Sequence, residues 1–97
     1  MNRHLFPGQR FALGAIGATP GAVDTLAAAG VQPAALLARH AAGDWGDMDE
    51  HDTAENELSV QRRLRIFSAY TLPDSERIWI ITEADRSATT LLRPDEY

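Results

Sequence analysis

Ninety-seven residues with 44% hydrophobic content bound the chain to one small domain, with an economical core and little room for a deep enclosed site. The absence of cysteine excludes disulfide staples, thiolate zinc, iron–sulfur clusters and a cysteine nucleophile. Fourteen acids against nine bases give a net charge of −5, and no apolar run approaches the ~20 residues of a membrane span, so the expected setting is the cytoplasm, away from membranes.

Residues 1–9, with Pro7-Gly8, read as a loose lead-in. Phe11, Leu13 and Ile16, set among Ala and Gly, suggest a short first strand. Thr19-Pro20 is a helix start, with Thr as N-cap and Pro at the first helical position. Ala22 to Ala29 are good helix formers and Gly30 suits the C-terminal cap. Pro33 opens a second helix through about Ala42, with Leu36, Leu37 and His40 near one face, and Gly43 ends it. Twelve alanines between residues 12 and 42 imply closely packed helices.

Gly43-Asp44-Trp45-Gly46-Asp47 reads as a loop. A third helix should start between Asp49 and Asp52, where Asp52 and Glu55 resemble a capping box and early carboxylates oppose the helix dipole. Its inner stripe is expected at Ala54, Leu58, Gln61 and Leu64. Beyond Leu64 the period changes to that of strands. Arg65 to Leu72, Ile78 to Glu83 and Ala88 to Leu92 are separated by the turns Pro73-Asp74-Ser75-Glu76 and Ala84-Asp85-Arg86-Ser87. The expected fold is α+β in a single domain over 1–97. A short N-terminal strand and three helices pack on a C-terminal three-stranded antiparallel meander, and the first strand pairs at the sheet edge.

Charge is unevenly placed. Residues 44–57 carry seven acids and no Arg, leaving seven acids against nine Arg elsewhere, or +2. Every base is Arg, which a GC-rich genome explains more simply than carboxylate or phosphate gripping. The acids do not match the spacing of a calcium loop, which needs Gly at its sixth position. His51-Asp52 lacks the further histidines of a metal-dependent HD hydrolase. No metal and no cofactor are therefore expected. Nucleotide-binding glycine motifs are absent. Only Arg62, Arg63 and Arg65 cluster, so direct nucleic-acid binding is not favoured.

Two sets of residues invite chemistry. His40, Arg65, Glu83, Arg86 and Thr89 could supply the base, cation and hydroxyl of an RNase-like site if they converged in one cleft. His40 has a simpler reading as a partner of helix C-terminal carbonyls. The second set is a contact surface for a basic partner, made of Asp44, Trp45, Asp47, Asp49, Glu50, Asp52 and Glu55. Trp45 has two readings there, a loop anchor or an exposed recognition aromatic, and the anchor is preferred.

Several segments together resemble a family of small bacterial proteins associated with plasmids and other mobile elements. They are Ala18-Thr19-Pro20-Gly21-Ala22, Leu36-Leu37-Ala38-Arg39-His40, Gly43-Asp44-Trp45-Gly46-Asp47, Ser68-Ala69-Tyr70, Trp79 through Ser87 with Thr89-Thr90, and Pro94-Asp95-Glu96-Tyr97. The resemblance runs from about Phe11 to Tyr97. Members often carry a "plasmid-related" or "restriction endonuclease subunit" label. A chain of this length without a cofactor-binding glycine loop cannot hold a methyltransferase fold, so that label describes no catalysis here. The resemblance implies no catalytic residues. It implies a mobile-element setting, in which small acidic proteins block nucleic-acid-binding defence complexes of the anti-restriction or anti-CRISPR type by charge mimicry. The expected protein is thus a non-catalytic inhibitor of a basic partner, acting as a monomer or homodimer. An RNase-toxin-like nuclease and a plain regulatory or interaction domain are the alternatives.

Overall fold

The computed structural model describes residues 5–97. Its elements are β1 (Ala15–Ala18), α1 (Pro20–Ala29), α2 (Pro33–Ala41), α3 (Glu50–Arg62), β2 (Ile66–Thr71), β3 (Arg77–Thr82) and β4 (Ala88–Leu92), followed by a 3₁₀ turn, Pro94–Glu96. The α+β architecture is as the periodicities predict. β2, β3 and β4 form the antiparallel meander, and β1 adds in parallel to β4, giving the order β1-β4-β3-β2.

The helix ends follow their local chemistry. Thr19 Oγ1 accepts from the Ala22 N–H at 3.1 Å, with Pro20 in the first turn, and Gly30 closes α1 in the left-handed region at φ 69°. Pro33 opens α2. α3 differs from expectation, because Asp49 is its N-cap and its carboxylate accepts from the Asp52 N–H at 2.8 Å. Asp52 is already helical, so the Asp52–Glu55 pair is not the cap.

The lead-in is less loose than expected in its described part. Phe6 packs against both core clusters, and the Gln9 side chain accepts from the Leu5 and Phe6 amides while donating to the Phe11 carbonyl. Residues 1–4 of that segment lie outside the described residues. The first strand is shorter than its apolar pattern suggests. Phe11 and Leu13 precede it and are buried, whereas all four residues of β1 are exposed.

Cross-strand register assigns the faces of the sheet. Ile66, Ser68, Tyr70, Ile78, Ile80, Thr82, Thr89 and Leu91 share the face beneath the helices. There Leu26, Leu36 and Leu37 of α1 and α2 meet Tyr70, Ile78, Ile80 and Leu91, while Phe11, Leu13, Ala41, Trp45 and Ile66 form a second cluster. Each large apolar side chain buried this way contributes roughly 1.5–3 kcal/mol. The opposite face carries Phe67 and Trp79, whose rings meet edge to face at 4.8 Å, with Tyr97 beyond Trp79 at 5.7 Å.

α3 does not present its expected stripe. Leu58 and Leu64 are exposed, and the residues it buries are Asn56 and Ser59, with Val60 against the second cluster. The reason is position. α3 lies against the edge strand β2, whose outward backbone groups need polar partners. Asn56 supplies them by donating to the Phe67 carbonyl at 2.6 Å and accepting from the Phe67 N–H at 3.1 Å. The loop before α3 covers the next pair along the edge. The Ala69 N–H donates to the Trp45 carbonyl at 3.2 Å, and the Asp47 N–H donates to the Ala69 carbonyl at 2.7 Å. Gly46 makes this approach possible. It sits at φ 75°, and a Cβ there would collide with the Ala69 carbonyl oxygen.

Candidate functional site

The five groups of the nuclease reading do not meet in one cleft. His40, near the end of α2, is fully buried, with Nδ1 2.5 Å from Ser68 Oγ and Nε2 2.9 Å from Thr82 Oγ1. Thr82 Oγ1 lies 2.8 Å from Thr89 Oγ1, and the Thr89 hydroxyl donates to the Leu13 carbonyl at 2.7 Å. Proton bookkeeping sets the direction of the whole chain. Thr89 uses its proton on Leu13, so Thr82 must donate to Thr89 and His40 Nε2–H to Thr82. Nδ1 is left as the acceptor for Ser68. Burial pushes the imidazole pKa down to about 3, and the neutral ring that results is what leaves Nδ1 free to accept. Phe11 and Trp45 box the ring at 5.3 and 5.9 Å. No ring nitrogen remains for a substrate.

Arg86 is also committed to the interior. It is 6% exposed, and its guanidinium donates to the carbonyls of Leu64, Glu83 and Ala84 through Nη1 and of Ser59 through Nη2, at 2.8–3.2 Å. No carboxylate pairs with it among the described residues. Its charge rests on carbonyls at the end of α3 and in the β3–β4 turn. Arg65 and Glu83 are half-exposed, pair with each other at 3.6 Å, and stand where Arg65 also donates to the Tyr97 hydroxyl at 2.9 Å. Strand alternation sets Glu83 on the opposite side from Thr82, so this ion pair and the His40–Thr89 network lie on different sides of the sheet.

The acidic segment divides in two. Asp44 and Glu57 are tied down by arginines distant in sequence or on another element. Arg39 grips Asp44 at 2.7 and 3.2 Å, and Arg10 grips Glu57 with two bonds of 2.8 Å. Each guanidinium holds its carboxyl below the usual range. Glu57 also accepts from the Trp45 indole at 3.1 Å. Trp45 itself is 4% exposed and is the anchor of its loop, so its ring forms no part of a contact surface. Asp49 caps α3, and Asp47 accepts from the Thr71 hydroxyl at 2.5 Å. Glu50, Asp52 and Glu55 are exposed on the first turns of α3. Their only ionic neighbour among the described residues is His51, 3.9 Å from Glu55 and charged only when protonated. Seven acids less the two held by Arg10 and Arg39 leave five carboxylates without an arginine.

Asp52 and Glu55 face a shallow groove of about 320 Å³ between α3 and β2, which Asn56, Ser59, Arg65 and Phe67 also line. No group of three or more acidic or histidine side chains is placed to hold a metal ion among the described residues.

The tying of Asp44 and Glu57 was hidden from a charge count within residues 44–57. Arg39, five residues ahead of Asp44, was a visible clue, whereas Arg10 lies 47 residues from Glu57 and left none. Ser68 and Thr82 carry no local signal as partners of His40, because only the fold brings them to it. No family model, curated protein or solved structure matches the chain.

Proposed function

We propose that this protein is a non-catalytic binder of a basic protein surface, of the kind that occupies the nucleic-acid channel of a defence complex, and that α3 is its contact element. The observation that carries this reading is the set Glu50, Asp52 and Glu55, exposed and without an arginine partner on one end of one helix. Helix N-terminal placement stabilises such carboxylates by only about 0.3–1 kcal/mol each, and their charge is available to steer a cationic partner. The resemblance to small plasmid-associated proteins supplies the setting. The commitment of His40, Arg86 and Thr89 to internal bonds weighs against the nuclease alternative.

The test uses acids that the fold does not need. Asp44, Asp47, Asp49 and Glu57 each hold a structural bond, so the informative variant is Glu50→Lys/Asp52→Lys/Glu55→Lys. Displacement of DNA from purified restriction or RNA-guided complexes by the parent should weaken at least tenfold in this variant. It should also fade as salt brings the screening length below about 10 Å. Equal displacement by parent and variant at low salt, or none by the parent across such complexes, would remove the reading.

A further inference from the structure

The sheet has two edges, and among the described residues only one of them is closed. Along β1 the register with β4 turns the N–H groups of Ala15 and Thr19 inward, to the Ser87 and Leu91 carbonyls at 2.9 and 3.0 Å. Alternation then points the N–H and C=O groups of Ile16 and Ala18 away from the sheet. None of these four groups has a hydrogen-bond partner among the described residues. β1 carries no proline, no bulge and no charge, and residues 11–23 contain no charged side chain at all. Ile16 is 41% exposed and Val23, at the start of α1, is 50% exposed. A bare, uncharged strand edge beside exposed aliphatic side chains is a template for another strand.

We infer that β1 pairs antiparallel with β1 of a second copy, joining two four-stranded sheets into one of eight strands. Symmetry fixes the register. A two-fold axis perpendicular to the sheet sets a residue opposite its own copy, and Gly17 is the one that makes full use of the outward groups. Ile16 then faces Ala18 of the other copy, twice, for four backbone hydrogen bonds. Gly17 meets its copy at the close, non-hydrogen-bonded spacing of about 4.5 Å between Cα atoms. No heavy atom lies within 4 Å of where a Cβ on Gly17 would project, so the face of the sheet at that position is uncovered.

Charge placement favours a second copy over a foreign strand. Each chain is −5, but the five carboxylates of residues 44–57 that lack an arginine sit by β2, three strands or about 14 Å from β1, and the acids nearer β1 are single ones, Asp24 on α1 and Glu96, which accepts from the Thr19 hydroxyl. β1 pairing sends the two acidic ends to opposite extremes of the dimer. A four-residue pairing is small against the 1,200 Å² or more of stable interfaces, so association is weak and concentration-dependent.

Sedimentation velocity on the full chain, from about 5 to 500 μM, should show mass rising from 10.6 kDa toward twice that value. Ile16→Lys and Ile16→Pro should each lower association at least tenfold, because Lys blocks the edge and Pro removes an outward donor that makes no internal bond. Amide exchange gives a second readout that needs no variant. The Ile16 and Ala18 amides should slow as concentration rises, while the Ala15 amide stays protected throughout. A chain that remains monomeric across the range overturns the inference, as does association that leaves the Ile16 and Ala18 amides fast.

Discussion

The edges at β2 and β1 face the same physical problem and answer it differently. At β2, the outward groups of Phe67 are taken by the Asn56 amide, and those of Ala69 by the backbone of Trp45 and Asp47. At β1, the outward groups of Ile16 and Ala18 meet no protein partner among the described residues. His40, Arg86 and Asn56 are buried and bond to residues of β2, α3 and the segment between them, and no buried side-chain nitrogen or oxygen among the described residues lacks a partner. The contrast teaches where this chain invests in internal satisfaction and where it leaves backbone for something outside. A closed edge is costly to disturb, and a bare one is cheap.

The largest expected effect tests the sealed side through His40. Its pKa is about 3 when folded and 6.5 when unfolded, so between these values the unfolded chain binds the extra proton. Stability is then full above about pH 6.5 and falls as pH drops toward 3. The fall is on the order of 5 kcal/mol at 1.36 kcal/mol per pH unit. Urea midpoints measured from pH 7.5 to 3.5 should trace that slope. His40→Gln should flatten much of it while lowering stability at pH 7. A parent whose midpoint does not move between pH 6.5 and 4 would show that the imidazole is not buried in the neutral state.

Arg86→Ala comes next. It strips four carbonyls of their donor and uncouples the end of α3 from the β3–β4 turn. A loss of about 3 kcal/mol is expected, since part of the penalty returns as water reaches the carbonyls. Lysine should not rescue it, because one ammonium cannot span the four acceptors. Chemical denaturation of Arg86→Ala and Arg86→Lys at one pH checks this. Near-parental stability in Arg86→Lys would mean that charge alone, and not the planar fork, holds the turn.

These two residues also mark where the sequence could and could not be read. The order of elements was legible, because Thr19-Pro20, Gly30 and Pro33 punctuate the helices by local chemistry, and β2 to β4 are rich in Ile, Tyr, Trp, Thr and Leu and bounded by turn residues. The role of α3 was not. Its inward residues are polar because it serves a strand edge, and hydrophobic periodicity is blind to an amide that replaces a missing strand. His40 and Arg86 resemble catalytic groups in sequence, since nothing local announces that Ser68, Thr82 and the distant carbonyls of Ser59 and Leu64 will consume their hydrogen bonds. Likewise, the acidic surface looked larger than it is, because Arg10 and Arg39 neutralise its two ends.

The smallest effect sharpens the comparison by setting one substitution at each edge side by side. Asn56→Ala removes both bonds to Phe67 and leaves a shielded backbone pair unmet, for a loss of about 1–3 kcal/mol. Ile16→Lys replaces an exposed side chain on a strand whose internal bonds run the other way, so its cost should stay within about 0.5 kcal/mol. Thermal melts must be run at low micromolar concentration for this contrast to be clean. Any β1–β1 association would stabilise the parent by mass action and make Ile16→Lys look worse at high concentration. The two variants should therefore separate by concentration as well as by size. The Asn56→Ala deficit persists on dilution, while the Ile16→Lys deficit appears only as the parent's melting temperature climbs with concentration. If Ile16→Lys instead costs as much as Asn56→Ala in dilute solution, the β1 edge is not bare, and the asymmetry between the two edges disappears.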